Sequence, residues 1–175
     1  KSNNNFCTAV AFDLDETYDF SLNEIIPLKK GGWKNYIIGV AAEIQKYGKT
    51  ITSFNMVFGG NIPNGAGLSS SAAIENGLVF GLNELFNLNL SKKEMILISQ
   101  KAEHNFALVN CGIMDQFASM FGKKDTALIL DCKTFDSSEF KINFGKYQLL
   151  LINTNVKHSL SESAYNDRRS VCEKA

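Results

Sequence analysis

Between Asn61 and Glu75 the chain reads NIPNGAGLSSSAAIE, two glycines breaking an extended run and three serines opening a helix. Gly65 and Gly67 carry no Cβ, so the backbone there can take φ > 0 and admit a ligand to the main chain. Ser69, Ser70 and Ser71 fall where the first N–H groups of a helix lack a partner inside it. An anion placed there accepts those bonds and meets the positive end of the helix dipole. The hydroxyls add donors, and one can ligate a hard cation such as Mg²⁺. Two other phosphate loops do not fit. No lysine occurs between Asn61 and Glu75, as a P-loop requires, and Ser70 stands where a dinucleotide fingerprint wants its third glycine. The plainer reading is a glycine turn with serine caps before a core helix; three consecutive serines favour the phosphate loop.

The segments on either side supply the rest of the scaffold. Phe6–Phe12 and Thr17–Phe20 read as short strands about a polar turn, Asp13–Glu16, whose DLDE is read as solvated rather than as a metal site. After Gly31 and Gly32, the three- and four-residue spacing of Trp33, Tyr36, Ile37, Val40, Ile44 and Tyr47 predicts a helix with one apolar face, ended by Gly48. On pattern alone Trp33 and Tyr36 are core, with an adenine contact as the alternative. Thr50–Gly59 reads as a strand leading into the glycine–serine loop, and the helix after that loop runs to about Phe86 with Ile74, Leu78, Leu82 and Leu85 as its stripe. Gly77 and Gly81 sit four apart on that helix, a spacing that lets another backbone close in. Each costs roughly 1 kcal/mol relative to alanine, so such packing is expected in return.

Ser91-Lys-Lys-Glu94 is a capping box, opening a helix with Met95, Ile98, Ala102 and Phe106 on one face. Glu103 follows near its end, where a carboxylate opposes the dipole, and an exposed glutamate is the simplest reading there. Gly112–Phe121 is expected to start another helix, with Asp115 in its first turn. Thr126–Asp131, Phe140–Phe144 and Tyr147–Asn153 read as strands, the last apolar enough to be buried on both faces. Ser159 or Ser161 caps a final helix through Tyr165, Arg168, Arg169 and Cys172. Adjacent arginines point in different directions on a helix, so at least one of Arg168 and Arg169 is a surface or ion-pair residue; neither is placed in an active site.

A formal net charge of +0 argues against nucleic acid or an anionic membrane as the main partner. Cys7, Cys111, Cys132 and Cys172 form no Cys-x-x-Cys pair, so neither a zinc site nor a disulfide framework is indicated and a reducing cytoplasm is the expected setting. Cys111 can be a reactive thiol, though a buried structural cysteine is commoner. His104 and His158 have no nucleophile and carboxylate at a spacing that suggests a hydrolase triad. No apolar run approaches the length of a membrane span.

NIPNGAGLSSSAAIE resembles the Pro-x-Gly-x-Gly-Leu-Ser-Ser-Ser-Ala nucleotide loop of the small-molecule kinases that include galactokinase, homoserine kinase, mevalonate kinase and phosphomevalonate kinase. CGIMDQF at Cys111–Phe117, SESAYNDRR at Ser161–Arg169 and WKNYIIGV at Trp33–Val40 are similar, more narrowly, to galactokinase segments. The resemblance implies an α+β, two-domain small-molecule-kinase fold with a left-handed-crossover, ribosomal S5 domain 2-like N-terminal domain. Residues 1–145 would form most of the N-terminal nucleotide-binding domain and 146–175 the beginning of the C-terminal one.

The activity it implies is ATP-dependent phosphorylation of D-galactose at C1. Related readings are an N-acetylgalactosamine kinase or a non-catalytic sensor that binds galactose and ATP. By resemblance, Asp115 is the catalytic base and touches the sugar together with Gly112 and Tyr165. Gly65, Ala66, Gly67, Leu68, Ser69, Ser70 and Ser71 cradle the phosphates, Trp33 stands by the adenine, and Ser71 with Glu103 holds Mg²⁺. The partner is then a small-molecule sugar, and a monomer is the expected state. The family's N-terminal Gly-Arg-x-Asn-x-Ile-Gly-Glu-His-Thr-Asp segment and its C-terminal glycine-rich motif do not occur in this sequence. A central piece of such an enzyme is therefore implied, with little activity alone.

Overall fold

The computed structural model describes residues 6–63, 67–152 and 161–174, and side chains at all of these except 161–165. Strand β1 (Cys7–Ala11) and strand β2 (Glu16–Phe20) form an antiparallel hairpin in which Cys7 faces Phe20 and Ala11 faces Glu16. A 3₁₀ turn at Phe12–Leu14 and a left-handed Asp15 close it. Asp13 is exposed, as a solvated turn requires, but its Oδ2 also accepts the Gly60 N–H at 2.7 Å. The turn thereby ties the hairpin to the strand that precedes the glycine–serine loop.

Helix α1 (Trp33–Lys46) follows, with Ile37, Ile38, Val40, Ala41, Ala42 and Ile44 buried and Gly48 at φ 84° just past its end. Tyr47 does not join the apolar face. Its ring stays exposed and its hydroxyl donates to Glu94 Oε1 at 2.8 Å, because a phenol can keep a polar tip wet while its ring rests on the surface.

Strand β3 is shorter than its sequence suggests. Only Asn55–Phe58 pairs, in parallel with Thr8–Ala11 of β1, giving the sheet order β2-β1-β3. The ladder stops with Phe58 opposite Ala11, where β1 ends, and Ile51 and Phe54 are buried without being strand.

Helix α2 (Ser70–Phe86) and helix α3 (Lys92–Ala102) pack with α1 over this sheet, and their apolar faces merge with Phe20, Ile51 and Phe54 into the main core. The expected close approach at Gly77 and Gly81 does not occur: a Cβ at either would meet nothing within 4 Å, and both line an open groove beside β3. Gly39 of α1 plays that part instead, since a Cβ there would stand 3.0 Å from Phe106 Cβ and 3.1 Å from Ala102 Cβ. Ser91 and Glu94 form the capping box on α3 in both directions.

After Ala102 the helix widens into a π-helical turn, Glu103–Ala107, closed by Leu108 N–H to Glu103 C=O. Helix α4 (Met114–Phe121) then packs Phe117, with Ile113, on Ile96 in a second, smaller core. Strand β4 (Thr126–Leu130) pairs antiparallel with β5 (Ser137–Lys141). The sequence places that second strand at Phe140–Phe144. The hairpin register stops it at Lys141, opposite Thr126, where β4 begins. The buried strand expected at Tyr147–Asn153 is absent over Tyr147–Ile152, which is exposed and irregular; Asn153 lies outside the described residues. An apolar run forms a doubly buried strand only where strands flank it, and among the described residues β4 and β5 pair with each other alone. Helix α5 (Ser161–Lys174) ends the description.

Candidate active site

Ser71 joins two halves of a site. On one side is a cleft of about 420 Å³ between the β1–β2 turn, the start of α1 and the start of α2, lined by Asp13, Trp33, Tyr36, Phe58, Ser70 and Ser71 among others. Trp33 is half-buried. Its indole N–H donates to Glu16 Oε2 at 2.9 Å, and its ring meets Phe58 edge-on at 5.2 Å. Trp33 packs against the main core, as the pattern expects, and it also lines the cleft.

The loop enters α2 through two left-handed residues, Gly67 at φ 71° and Ser69 at φ 56°. A left-handed serine is uncommon. Here it makes Ser69 the N-cap without a side-chain cap bond, and the first helical bond runs from Ala73 N–H to Ser69 C=O. The N–H groups ahead of Ala73 thus point out of the helix end, the arrangement that receives an anion. Leu68 is exposed, Ser70 and Ser71 are half-buried, and Gly65 and Ala66 lie outside the described residues.

On the other side of Ser71 is a buried carboxylate cluster. Ser71 Oγ donates to Glu103 Oε1 at 3.1 Å, and Gln116 Nε2 donates to Glu103 Oε2 at 2.7 Å. Cys111 Sγ approaches the same Oε2 at 3.4 Å. The exposed glutamate expected at position 103 is therefore only 7% exposed. The π turn carries it inward, and such turns recur at functional sites. Burial pushes its carboxyl above the usual range; bonds from Cys111, Ser71 and Gln116 offset part of the rise and the Asp115 charge adds to it. Asp115 is half-buried in the first turn of α4, beside the Gln116 that donates to the same carboxylate.

Two members of this cluster escape sequence reasoning. Glu75, one turn after Ser71, is fully buried, and both its oxygens lack a hydrogen-bond partner. Burial and then the Glu103 charge raise its carboxyl well above the usual range, while the Gln116 amide, alongside without an aligned bond, offsets a little. Gln116, also fully buried, keeps Oε1 unpartnered. Spacing offered the signal: Glu75 shares a helix face with Ser71, and Gln116 directly follows Asp115. Cys111 is buried, and burial with the neighbouring Glu103 pushes its thiol up to about 12, which favours the structural reading.

The remaining sequence-derived candidates divide. Gly112 is exposed just ahead of α4, on the approach to Asp115. Tyr165 belongs to α5, but its side chain lies outside the described residues. Arg168 is exposed, while Arg169 reaches the main chain at Asn110 and Cys111. A hard cation fits the pair Ser71 and Glu103, which offer a hydroxyl and a carboxylate oxygen already 3.1 Å apart. Among the described residues no group of three or more His, Cys, Asp or Glu could hold an ion unaided.

Known proteins are similar to this chain. The galactokinase of Clostridium acetobutylicum is 44% identical over 180 residues, covering 100% of this chain and 46% of that protein. The galactokinase of Thermosipho africanus is 49% identical over 162 residues, covering 90% of this chain and 46% of its own. The chain thus spans about half the length of the curated relatives it matches. The crystal structure of Lactococcus lactis galactokinase complexed with galactose superposes with a TM-score of 0.88 at 32% identity, over 97% of this chain and 44% of that one. The family model described as the GHMP kinases N terminal domain matches residues 35–123, which hold most of α1, the glycine–serine loop, Glu103 and Asp115, and with that match the chain belongs to the GHMP kinases.

Proposed function

We propose that this chain carries the nucleotide loop and the base of an ATP-dependent galactose 1-kinase. The observation that carries the reading is the bond from Ser71, at the head of α2, to Glu103, whose other oxygen accepts from Gln116, the neighbour of Asp115 in the first turn of α4. The likeness to galactokinases, one of them solved with galactose, supports the choice of sugar.

Phosphoryl transfer needs a phosphate cradle, a positioned acceptor and a group that orients or deprotonates the attacking hydroxyl. The N–H groups ahead of Ala73, with Gly65, Ala66, Gly67, Leu68, Ser69, Ser70 and Ser71, take the phosphates, and Trp33 borders the cleft that receives the base. Ser71 and Glu103 hold Mg²⁺, which offsets the charge of the ATP phosphates when bound. Asp115, in the first turn of α4, accepts the hydrogen of the C1 hydroxyl. Gly112 and Tyr165 complete the sugar side. Residues 146–175 begin a second domain in this reading, and a reducing cytoplasm suits the free cysteines among the described residues. No described helix is long and apolar enough to cross a membrane.

In the full-length protein, Asp115→Asn is expected to lower galactose-dependent ADP release by about 10²- to 10⁴-fold while ATP binding, followed by calorimetry, persists. Near-normal turnover would remove Asp115 from the role. A panel of hexoses and N-acetylhexosamines checks the acceptor, with D-galactose expected to give the highest kcat/KM.

A further inference from the structure

Two segments more than fifty residues apart in sequence meet at Leu108–Cys111. From α5, Asn166 Oδ1 accepts the Asn110 N–H at 2.9 Å and Asn166 Nδ2 donates to the Leu108 carbonyl at 2.9 Å. Arg169 Nη1 donates to the Asn110 carbonyl at 2.7 Å and to the Cys111 carbonyl at 3.2 Å. Three residues apart, Asn166 and Arg169 share one face of the helix. Glu173 holds the guanidinium from the next turn, accepting from Arg169 Nε at 2.8 Å.

The same stretch is gripped from within. Gln100 Nε2 and His104 Nε2 lie 3.2 Å and 2.8 Å from the Cys111 carbonyl, and the Cys111 thiol reaches Glu103. Leu108 needs such support. It sits at φ 61° and is 65% exposed, an uncommon backbone for a branched side chain that has little burial to hold it. The bond from Asn166 lands on that residue. Three residues past Cys111 begins α4, with Asp115 second in it.

We propose that Asn166 and Arg169 are positioning residues: by fixing the main chain of Leu108–Cys111 against α3 and its π turn, they set the place from which Asp115 acts. The inference rests on the proposed role of Asp115. It makes α5 part of the working site through backbone contacts, independently of any side chain it offers to a sugar. Hydrogen bonds from a guanidinium are charge-assisted and roughly twice as strong as neutral ones, so Arg169 is the stronger half of the clamp.

The test uses Asn166→Ala, Arg169→Gln and Arg169→Lys in the full-length protein, with steady-state kinetics and amide hydrogen exchange. A misplacement of about 1 Å can cost about 100-fold in rate, so kcat is expected to fall by about 10- to 100-fold. The KM for ATP should stay within about 2-fold, since the phosphate loop is untouched. The Asn110 amide should lose protection in Asn166→Ala, and Arg169→Lys should recover part of kcat because an ammonium can still reach one carbonyl. Wild-type kcat in Asn166→Ala with an unprotected Asn110 amide overturns the proposal, as does a kcat per folded molecule that is normal in all three variants. Should Arg169→Gln fail to fold, Asn166→Ala and Arg169→Lys decide by the same readings. Normal turnover by Asp115→Asn would instead remove the base assignment, an outcome that exchange at Asn110 distinguishes from failure of the clamp.

Discussion

Glu75 ties stability to pH. With a folded-state carboxyl held well above its ordinary range, both folded and unfolded chains bind the proton in acid, and burial then costs the desolvation of a neutral group rather than of a charge. As pH rises past the ordinary carboxylate value the unfolded chain releases its proton and the folded one keeps it. Stability must therefore fall with rising pH until the folded carboxyl also ionises. Glu75→Gln removes that slope. Urea unfolding at about pH 5 and about pH 8 should show the variant gaining on the wild type at the higher pH, at up to about 1.4 kcal/mol per unit. A constant difference between the two would exclude the titration. At this scale much of the site is legible in the sequence: Ser71 and Asp115 follow from the loop and the heptapeptide. The burial of Glu103 and the presence of Glu75 do not, because period and propensity place a carboxylate on a helix without saying what seals it.

Elements carry the clearest contrast between pattern and packing. Gly39, Gly77 and Gly81 all interrupt helices, and the sequence points to the wrong pair as the place of close contact. Gly77 and Gly81 stand over open space, whereas Gly39 lies against Ala102 and Phe106. Alanine at 77 or 81 is expected to raise stability by about 1 kcal/mol each through helix propensity. Alanine at 39 should lower it by about 1–3 kcal/mol through overpacking. Urea midpoints of the three single variants check both signs; a loss at 77 or 81 would mean the groove is filled in solution. The helices and the β1–β2 hairpin are legible because each carries its own period or cap. The limits of β3 and β5 are not, since strands end where their partners end, a property of Thr8–Ala11 and Thr126–Leu130 rather than of the strands themselves.

For the molecule as a whole, the apolar run at Tyr147–Ile152 stands apart from both cores, with Leu149 and Leu150 more than four-fifths exposed. A contiguous apolar surface of this kind promotes association. Leu149→Ser with Leu150→Ser should reduce light scattering by the 175-residue chain, and unchanged scattering would assign any aggregation to another surface. The wide turn after α3 has a further consequence for everything downstream of it. Each residue advances a helix by about 100°, so the direction in which Glu103 and the following chain leave α3 depends on a count of residues rather than on their kinds. Removing a single residue between Glu103 and Leu108 would rotate α4 and its aspartate out of phase with the serine loop while leaving every motif spelled correctly.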